Sequence, residues 1–497
     1  MKKLFLIFSI TTSFFGLNAL EEECLIHQPA IAFSLPDFSS QTFIYPRPLF
    51  NNLAARQSIW HRYYYEKAGD ASAALQILGM YQETIASNNV TNYFTFNGKN
   101  CLSVRGDAYS CNRDIRAEWI GIDDPNFFGE FSLNPSQRQA GVLLDYMNSF
   151  SSYTDAPFFD GWWFGASMPL IIVKNDIGID QSISATAPCC PQDIVQAFDQ
   201  FSWKYARFSD CELQDLGIGN IYLRLGTAYA AHHGHEIGYY VSAILPGGAH
   251  QNAKYIFDPF TGNNRHFGLG LGVTLALRIL DYHTNGNIIL FFNIENELYL
   301  NNTQLRTFDL KGKPWSRYLL YNSLDGERNI PGVNILTREV QIKPYNVFDL
   351  STGLRWQNDC FEGEIGYDLW GHGSERIRLK EPFPKKYGIA GTGTIMRECP
   401  ECEVGATASC STIAEQGPND KDKDNKGIFV PIRMLDLDFN SAISREVLTN
   451  KFHAAIGYNY QGTCHDLFFA MGAFWEIPEN NAAFEQFGAW AKLGGTF

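Results

Sequence analysis

After its first few residues the chain has no apolar run approaching the roughly 18 residues of a membrane-spanning helix. It is poor in cations, with 39 Lys and Arg against 53 Asp and Glu and a net charge of −14. Without clustered basic residues to neutralise phosphates, nucleic-acid binding is excluded. No Gly-x-Ser-x-Gly, phosphate-binding loop or His-Glu-x-x-His motif occurs, which removes the common hydrolase, nucleotide and zinc-protease readings. Cys399-Pro-Glu-Cys402 is half of a zinc site whose second pair is missing. His232-His233-Gly234-His235 reads as a Gly-bearing turn between two strands, so no metal or cofactor is expected. No repeat of fixed period is visible, which argues against propellers and solenoids. A Ser-His hydrolase on a barrel surface needs no sequence spacing and stays open as a minor alternative; the expected reading is not an enzyme.

The N-terminus opens with Lys2 and Lys3, an apolar stretch Leu4–Phe15, small residues Gly16 and Ala19, and then Glu21-Glu22-Glu23. That order is a secretory signal peptide over residues 1–19. Cys24 follows acids, so no lipid anchor is expected. Residues 20–70, with Pro29, Pro36, Pro46 and Pro48, read as an extension with little regular structure, inside a barrel or in the periplasm. Residues 71–497 read as the barrel.

The barrel reading rests on period-two alternation, since a helix repeats every 3.6 residues. From His266 to Asp281 one face carries Phe267, Leu269, Leu271, Val273, Leu275, Leu277 and Ile279, and the other Gly268, Gly270, Gly272, Thr274, Ala276 and Arg278. Asn285-Gly286 marks a tight turn into a second such strand. The pattern recurs near 75–82, 91–97, 114–121, 139–147, 161–173, 221–229, 237–245, 316–323, 348–356, 361–369, 435–439, 452–460, 467–475 and the C-terminus. The sum is an all-β fold: one transmembrane antiparallel β-barrel of about 16 strands, roughly 14 to 18, with long loops on one side. Aromatic residues at 14% and 43 glycines suit girdles and small inward side chains. The terminal Phe497 on an alternating last strand resembles the signal by which outer-membrane barrels meet the barrel-assembly machinery, although Gly495 stands where a larger apolar residue is usual.

Charges opposite the apolar faces must avoid lipid, where Arg or Lys costs about 2–4 kcal/mol at the midplane. Arg116, Glu118, Arg224, Arg278, Glu295, Glu297, Arg355, Glu362, Glu364, Asp368, Asp436 and Asp438 are therefore expected to line the lumen. At about 16 strands that lumen is too wide for side chains to fill. The expectation is a wet, weakly cation-selective pore, because acids outnumber bases on the inward faces. The alternative is a barrel closed by internal salt bridges. Pro191 followed by Ile194, Val195, Phe198 and Phe201 predicts a short amphipathic helix that folds inward and narrows the pore.

Eleven cysteines are an odd number for an oxidising compartment. Cys189, Cys190 and Cys211 share one polar loop and Cys399, Cys402 and Cys410 another, so these six are disulfide candidates, within or between chains.

The strands, Phe497 and the Cys-bearing loops together resemble a porin-like family of amoeba-associated, chlamydia-related bacteria. The resembling stretches are Asp114–Trp119, Asn220–Gly226 and Lys311–Arg317. The resemblance implies a bacterial outer-membrane porin-like protein, expected to cover most of the barrel, and assigns no functional residue. The expected function is passive diffusion of small polar solutes and ions. Expected partners are outer-membrane lipids, the assembly machinery, small solutes, and a homo-oligomer or disulfide-linked envelope proteins. The competing reading is a structural or adhesive barrel whose surface loops bind host or envelope partners.

Overall fold

The computed structural model describes residues 40–58, 73–86, 88–96, 99–106, 114–150, 153, 156–159, 161–231, 235–248, 251–281, 286–358, 360–390, 420–421, 427–428, 431–461 and 466–496. Residues 1–19, Phe497, Cys399, Cys402 and Cys410, and His232–Gly234 lie outside them.

The wall is a closed antiparallel barrel of 12 strands. In chain order they are β1 (Ala73–Ala86), β2 (Ser136–Ser149), β3 (Trp162–Asp176), β4 (Ile221–Ala231), β5 (His235–Leu245), β6 (Gly268–Asp281), β7 (Asn287–Tyr299), β8 (Asn346–Gln357), β9 (Phe361–His372), β10 (Val447–Gln461), β11 (Asp466–Pro478) and β12 (Glu485–Thr496). Each pairs with its sequence neighbours, and β12 closes on β1 with Leu78 opposite Lys492. One further strand, Leu213–Ile218, adds to the far half of β3 outside the ring.

The count is therefore lower than the 16 expected from alternation. Four expected strands are not wall. Residues 91–97 fall largely in the helix Asn88–Phe94. Residues 114–121 are the two-residue strand Ile115–Arg116 and a 3-10 turn. Residues 316–323 are a 3-10 turn and the short strand Leu320–Ser323. Residues 435–439 are 3-10 turns flanking Leu437–Asp438. Each alternates for only a few residues, as any half-buried segment does, whereas wall strands run 11 to 15 residues.

The two faces of the wall meet different surroundings. Leu269, Leu271, Leu354, Trp356, Phe361, Ile365, Ile456, Tyr458, Phe469, Met471 and Leu493 all point outward and are exposed. An apolar surface of that extent around a closed ring is stable only against hydrocarbon. Inward-facing glycines give aromatic rings room to lie across neighbouring strands: a Cβ on Gly272 would sit 2.0 Å from the Tyr240 ring, and one on Gly488 2.2 Å from Phe474.

Segments 150–161, 232–234, 282–286, 358–360 and 462–465 connect strands at one end of the barrel. Segments 87–135, 177–220, 246–267, 300–345, 373–446 and 479–484 leave from the other. At that second end the connecting segments share one hydrophobic core, a cap in which Phe96, Phe131, Phe198, Phe208, Trp315 and Tyr318 interlock. Phe198 and Phe208 stack at 4.8 Å, and such ring pairs add to their area burial. The expected helix exists as Ile194–Phe198, capped by Asp193, but it packs into the cap with Ile194, Ala197 and Phe198 buried and Phe201 99% exposed. It does not narrow the lumen.

Candidate functional site: a segment through the lumen

Residues 40–58 run from the cap core into the barrel. At the cap end Ser40 Oγ donates to Asp309 Oδ2 at 2.8 Å, and Asp309 also accepts from the Trp315 and Arg317 backbone N–H groups at 3.0 Å and pairs with the buried Arg317 guanidinium. Thr42 Oγ1 donates to the Thr307 carbonyl at 2.7 Å, and Phe43 and Tyr45 join the cap core. The chain then enters the ring. Leu49, Phe50 and Ala55 pack on the inward side chains Leu78, Met80, Leu143, Ile171, Phe468 and Trp490. The helix Leu53–Gln57 starts at Asn52, whose side chain accepts from Ala55 N at 3.1 Å and satisfies one of its free N–H groups. Lys492 on β12 reaches the carbonyls of Arg56 and Ser58, deeper in the ring.

Two arginines fasten this segment to the wall. Arg47 Nη2 donates to Asp349 Oδ2 at 3.0 Å and Arg47 Nη1 to Glu476 Oε1 at 3.1 Å, so one guanidinium bridges β8 and β11. Arg56 pairs with Glu295 on β7. Leu53 N also donates to Asp349 at 3.3 Å. The planar fork of arginine suits this bridging in a way a lysine ammonium does not.

Elsewhere the wall pairs with itself. Arg355 meets Glu364 at 2.8 Å, His453 lies 3.3 Å from Glu364 and 3.4 Å from Asp368, and Lys451 reaches Asp368 at 3.1 Å. Arg224 lies 3.6 Å from Asp145, which also accepts from Ser167 and Gln76. Asn459 donates to Glu362, and Tyr299 to Glu297.

Of the twelve residues expected to line the lumen, the structure places Arg224, Arg278, Glu295, Glu297, Arg355, Glu362, Glu364 and Asp368 on inward faces of wall strands. Arg278, near the short-connection end, stays partly exposed and lies 3.8 Å from Asp281. Arg116, Glu118, Asp436 and Asp438 are not on the wall. Arg116 pairs with Glu118 beside the cap turn Ala117–Ile120, Asp436 pairs with Arg433, and Asp438 caps the turn Phe439–Ala442. They came from two of the four segments whose alternation was too short to be wall.

The inward residues that the pattern missed are Asp145, Lys451 and the segment's own Arg47 and Arg56. Extending the β10 alternation one step back from His453 reaches Lys451, and the β2 alternation contains Asp145. The two arginines stood in an extension with no periodicity to orient them.

Cap groups show the cost of burial directly. The Asp258 carboxyl is pushed up to about 6 by burial, with Asp215 nearby opposing ionisation and Lys254 favouring it. Burial also pushes the Tyr318 hydroxyl up to about 12. Cys189, Cys190 and Cys211 are exposed free thiols, so none of the three is bridged to another within the chain. Among the described residues no cluster of three metal-ligating side chains occurs. Of the stretches carrying the family resemblance, Asn220–Gly226 enters β4, while Asp114–Trp119 and Lys311–Arg317 belong to the cap rather than the barrel wall.

No family model and no curated protein matches the chain. Among solved structures, an outer-membrane channel from Pseudomonas putida F1 is similar at 9% identity and a TM-score of 0.38, covering 86% of this chain and 98% of that one. The Pseudomonas putida toluene transporter TodX is similar at 9% identity and a TM-score of 0.32, covering 93% and 96%. The β-domain of the Bordetella autotransporter BrkA is similar at 7% identity and a TM-score of 0.33, covering 86% and 100%.

Proposed function

We propose that this chain is a channel of the bacterial outer membrane for small polar solutes and ions, held shut in this conformation by its own residues 40–58. The observation that carries the reading is the separation of faces on one continuous wall. Lipid-compatible side chains point out, while ionised and hydrogen-bonding side chains point into a ring too wide for them to fill unaided. The space they leave is taken by a chain segment and not by larger wall residues, and a segment can withdraw where a packed wall cannot. With the segment out, Asp349, Glu476, Glu295 and Glu297 face the lumen, which favours cations. Assembly through the C-terminal strand, self-association, and disulfide links from the exposed thiols to envelope proteins belong to the same reading.

Planar-bilayer recording of the purified protein tests it. Rare openings in the wild type, more frequent ones when residues 40–58 are loosened, and a cation-sided reversal potential in a KCl gradient are expected. A second reading has its own support in the cap, whose buried core covers one mouth and presents Phe201 at the surface. A barrel that stays silent with the segment loosened would be a structural support for that cap.

A further inference from the structure

The acids of the wall are not matched uniformly. Glu364, Asp368 and Asp145 take their cations from the wall itself, through Arg355, Lys451 and Arg224. Asp349, Glu476 and Glu295 take theirs from the crossing segment. Glu295 and Asp349 are directly opposite one another on β7 and β8, and Glu297 follows two positions along the same face. Like charges facing each other across a strand pair destabilise a sheet unless a cation sits between them. Asp349 Oδ1 and Glu476 Oε2 are buried with no hydrogen-bond partner among the described residues, so this end of the wall retains unused acceptor capacity. The inward apolar patch that receives Leu49, Phe50 and Ala55 lies on β1, β2, β3, β10, β11 and β12, and on β11 Phe474 stands two positions before Glu476 on the same face.

We infer that the lumen is a peptide-binding site, selective for a basic segment with two arginines spaced as Arg47 and Arg56 are and apolar residues between them. Residues 46–58 are its resident ligand. The reading rests on the channel proposed above and names cationic amphipathic peptides as the ligand class that occupies the same lumen and blocks it. The paired acids of β7 and β8, with Glu476, grip the arginines, and the apolar patch on the other wall strands selects against a plain polyamine, which has charges but nothing to bury. A free peptide competes with the tethered copy, and tethering gives that copy a high effective concentration. Occupation from solution therefore requires a weakened tether.

The test uses the full chain carrying R47M and R56M, with a synthetic peptide of wild-type residues 46–58 as probe. The peptide is expected to block the currents of this variant. The same peptide with both arginines replaced by norleucine is expected to block on the order of a hundredfold more weakly, the scale for losing buried charge pairs. Spermine is expected to fall with the norleucine peptide. If the variant conducts and the peptide leaves its currents unchanged, the inference is overturned while the channel stands. If the variant is silent, the channel reading fails, and calorimetric titration of the same detergent-solubilised variant with the peptide decides the inference alone. Saturable binding lost on adding D349N and E476Q upholds it; no heat of binding overturns it.

Discussion

Replacing Arg47 by methionine keeps its length and removes its charge, and the structure sets the consequence. The guanidinium is almost fully buried between Asp349 and Glu476, both also buried, and its Nε donates to the Asn51 carbonyl at 2.7 Å. Removing one partner of such a network leaves carboxylates uncompensated in a low dielectric, at about 3–5 kcal/mol. The loss falls on the closed state alone, because in the open state the two acids meet water. At about 1.4 kcal/mol per tenfold, the ratio of open to closed barrels should rise roughly a hundred- to a thousandfold. Two assays read it. Open probability in planar bilayers should rise, and amide exchange at residues 49–57 should accelerate by a similar factor, since exchange there requires the segment to leave. R47K should fall between, because one ammonium cannot match a fork that reaches two strands. Adding D349N and E476Q to R47M should restore closure in part, because neutral partners no longer need a cation. A folded R47M barrel with neither openings nor exchange altered would refute the claim that these ion pairs hold the segment.

Valine in place of Gly272 puts a side chain where the Tyr240 ring lies, and overpacking of that kind should cost about 1–3 kcal/mol in urea unfolding, while valine at the outward neighbour Leu271 should be tolerated. Arginine in place of Ile365, which is 64% exposed on the outer face, should cost about 2–4 kcal/mol in lipid and leave single-channel conductance unchanged, whereas arginine on an inward face would alter it. The Asp258 carboxyl titrates near 6 in the fold against 3.8 in the free chain, so between those values the unfolded chain carries fewer protons than the folded one. The cap's stability should therefore fall as pH rises from about 4 to about 6, and D258N should flatten that slope in protease-susceptibility profiles of the cap; an unchanged slope would place the titration elsewhere.

Every wall strand was legible in the sequence because lipid and lumen impose opposite demands on alternate residues over a run much longer than any cap segment sustains. Leu269 to Ile279 shows this on one strand and Phe452 to Tyr460 on another. The four shorter alternating segments that lie off the wall obey a weaker version of the same rule. Val90, Tyr93 and Phe94 are buried at spacings of three and four, a helical period hidden inside a stretch that also alternates. Arg116 and Asp436 lay in segments two to four residues long, where alternation carries almost no information. The filling of the lumen was illegible for a deeper reason. Alternation establishes that Asp349 and Glu476 must avoid lipid, and it is silent on whether water or an arginine meets them. Arg47 and Asp349 are separated by 302 positions, so no local pattern links them. What the wall does carry is an imbalance: inward acids exceed inward bases even after Lys451 and Lys492 are counted. A closed ring of that composition holds either mobile cations or fixed ones. Before β1 the arginines are Arg47, Arg56 and Arg62, each near apolar residues, and Arg47 and Arg56 meet the acids of the wall. The charge excess of a barrel wall thus points to the segment that closes it.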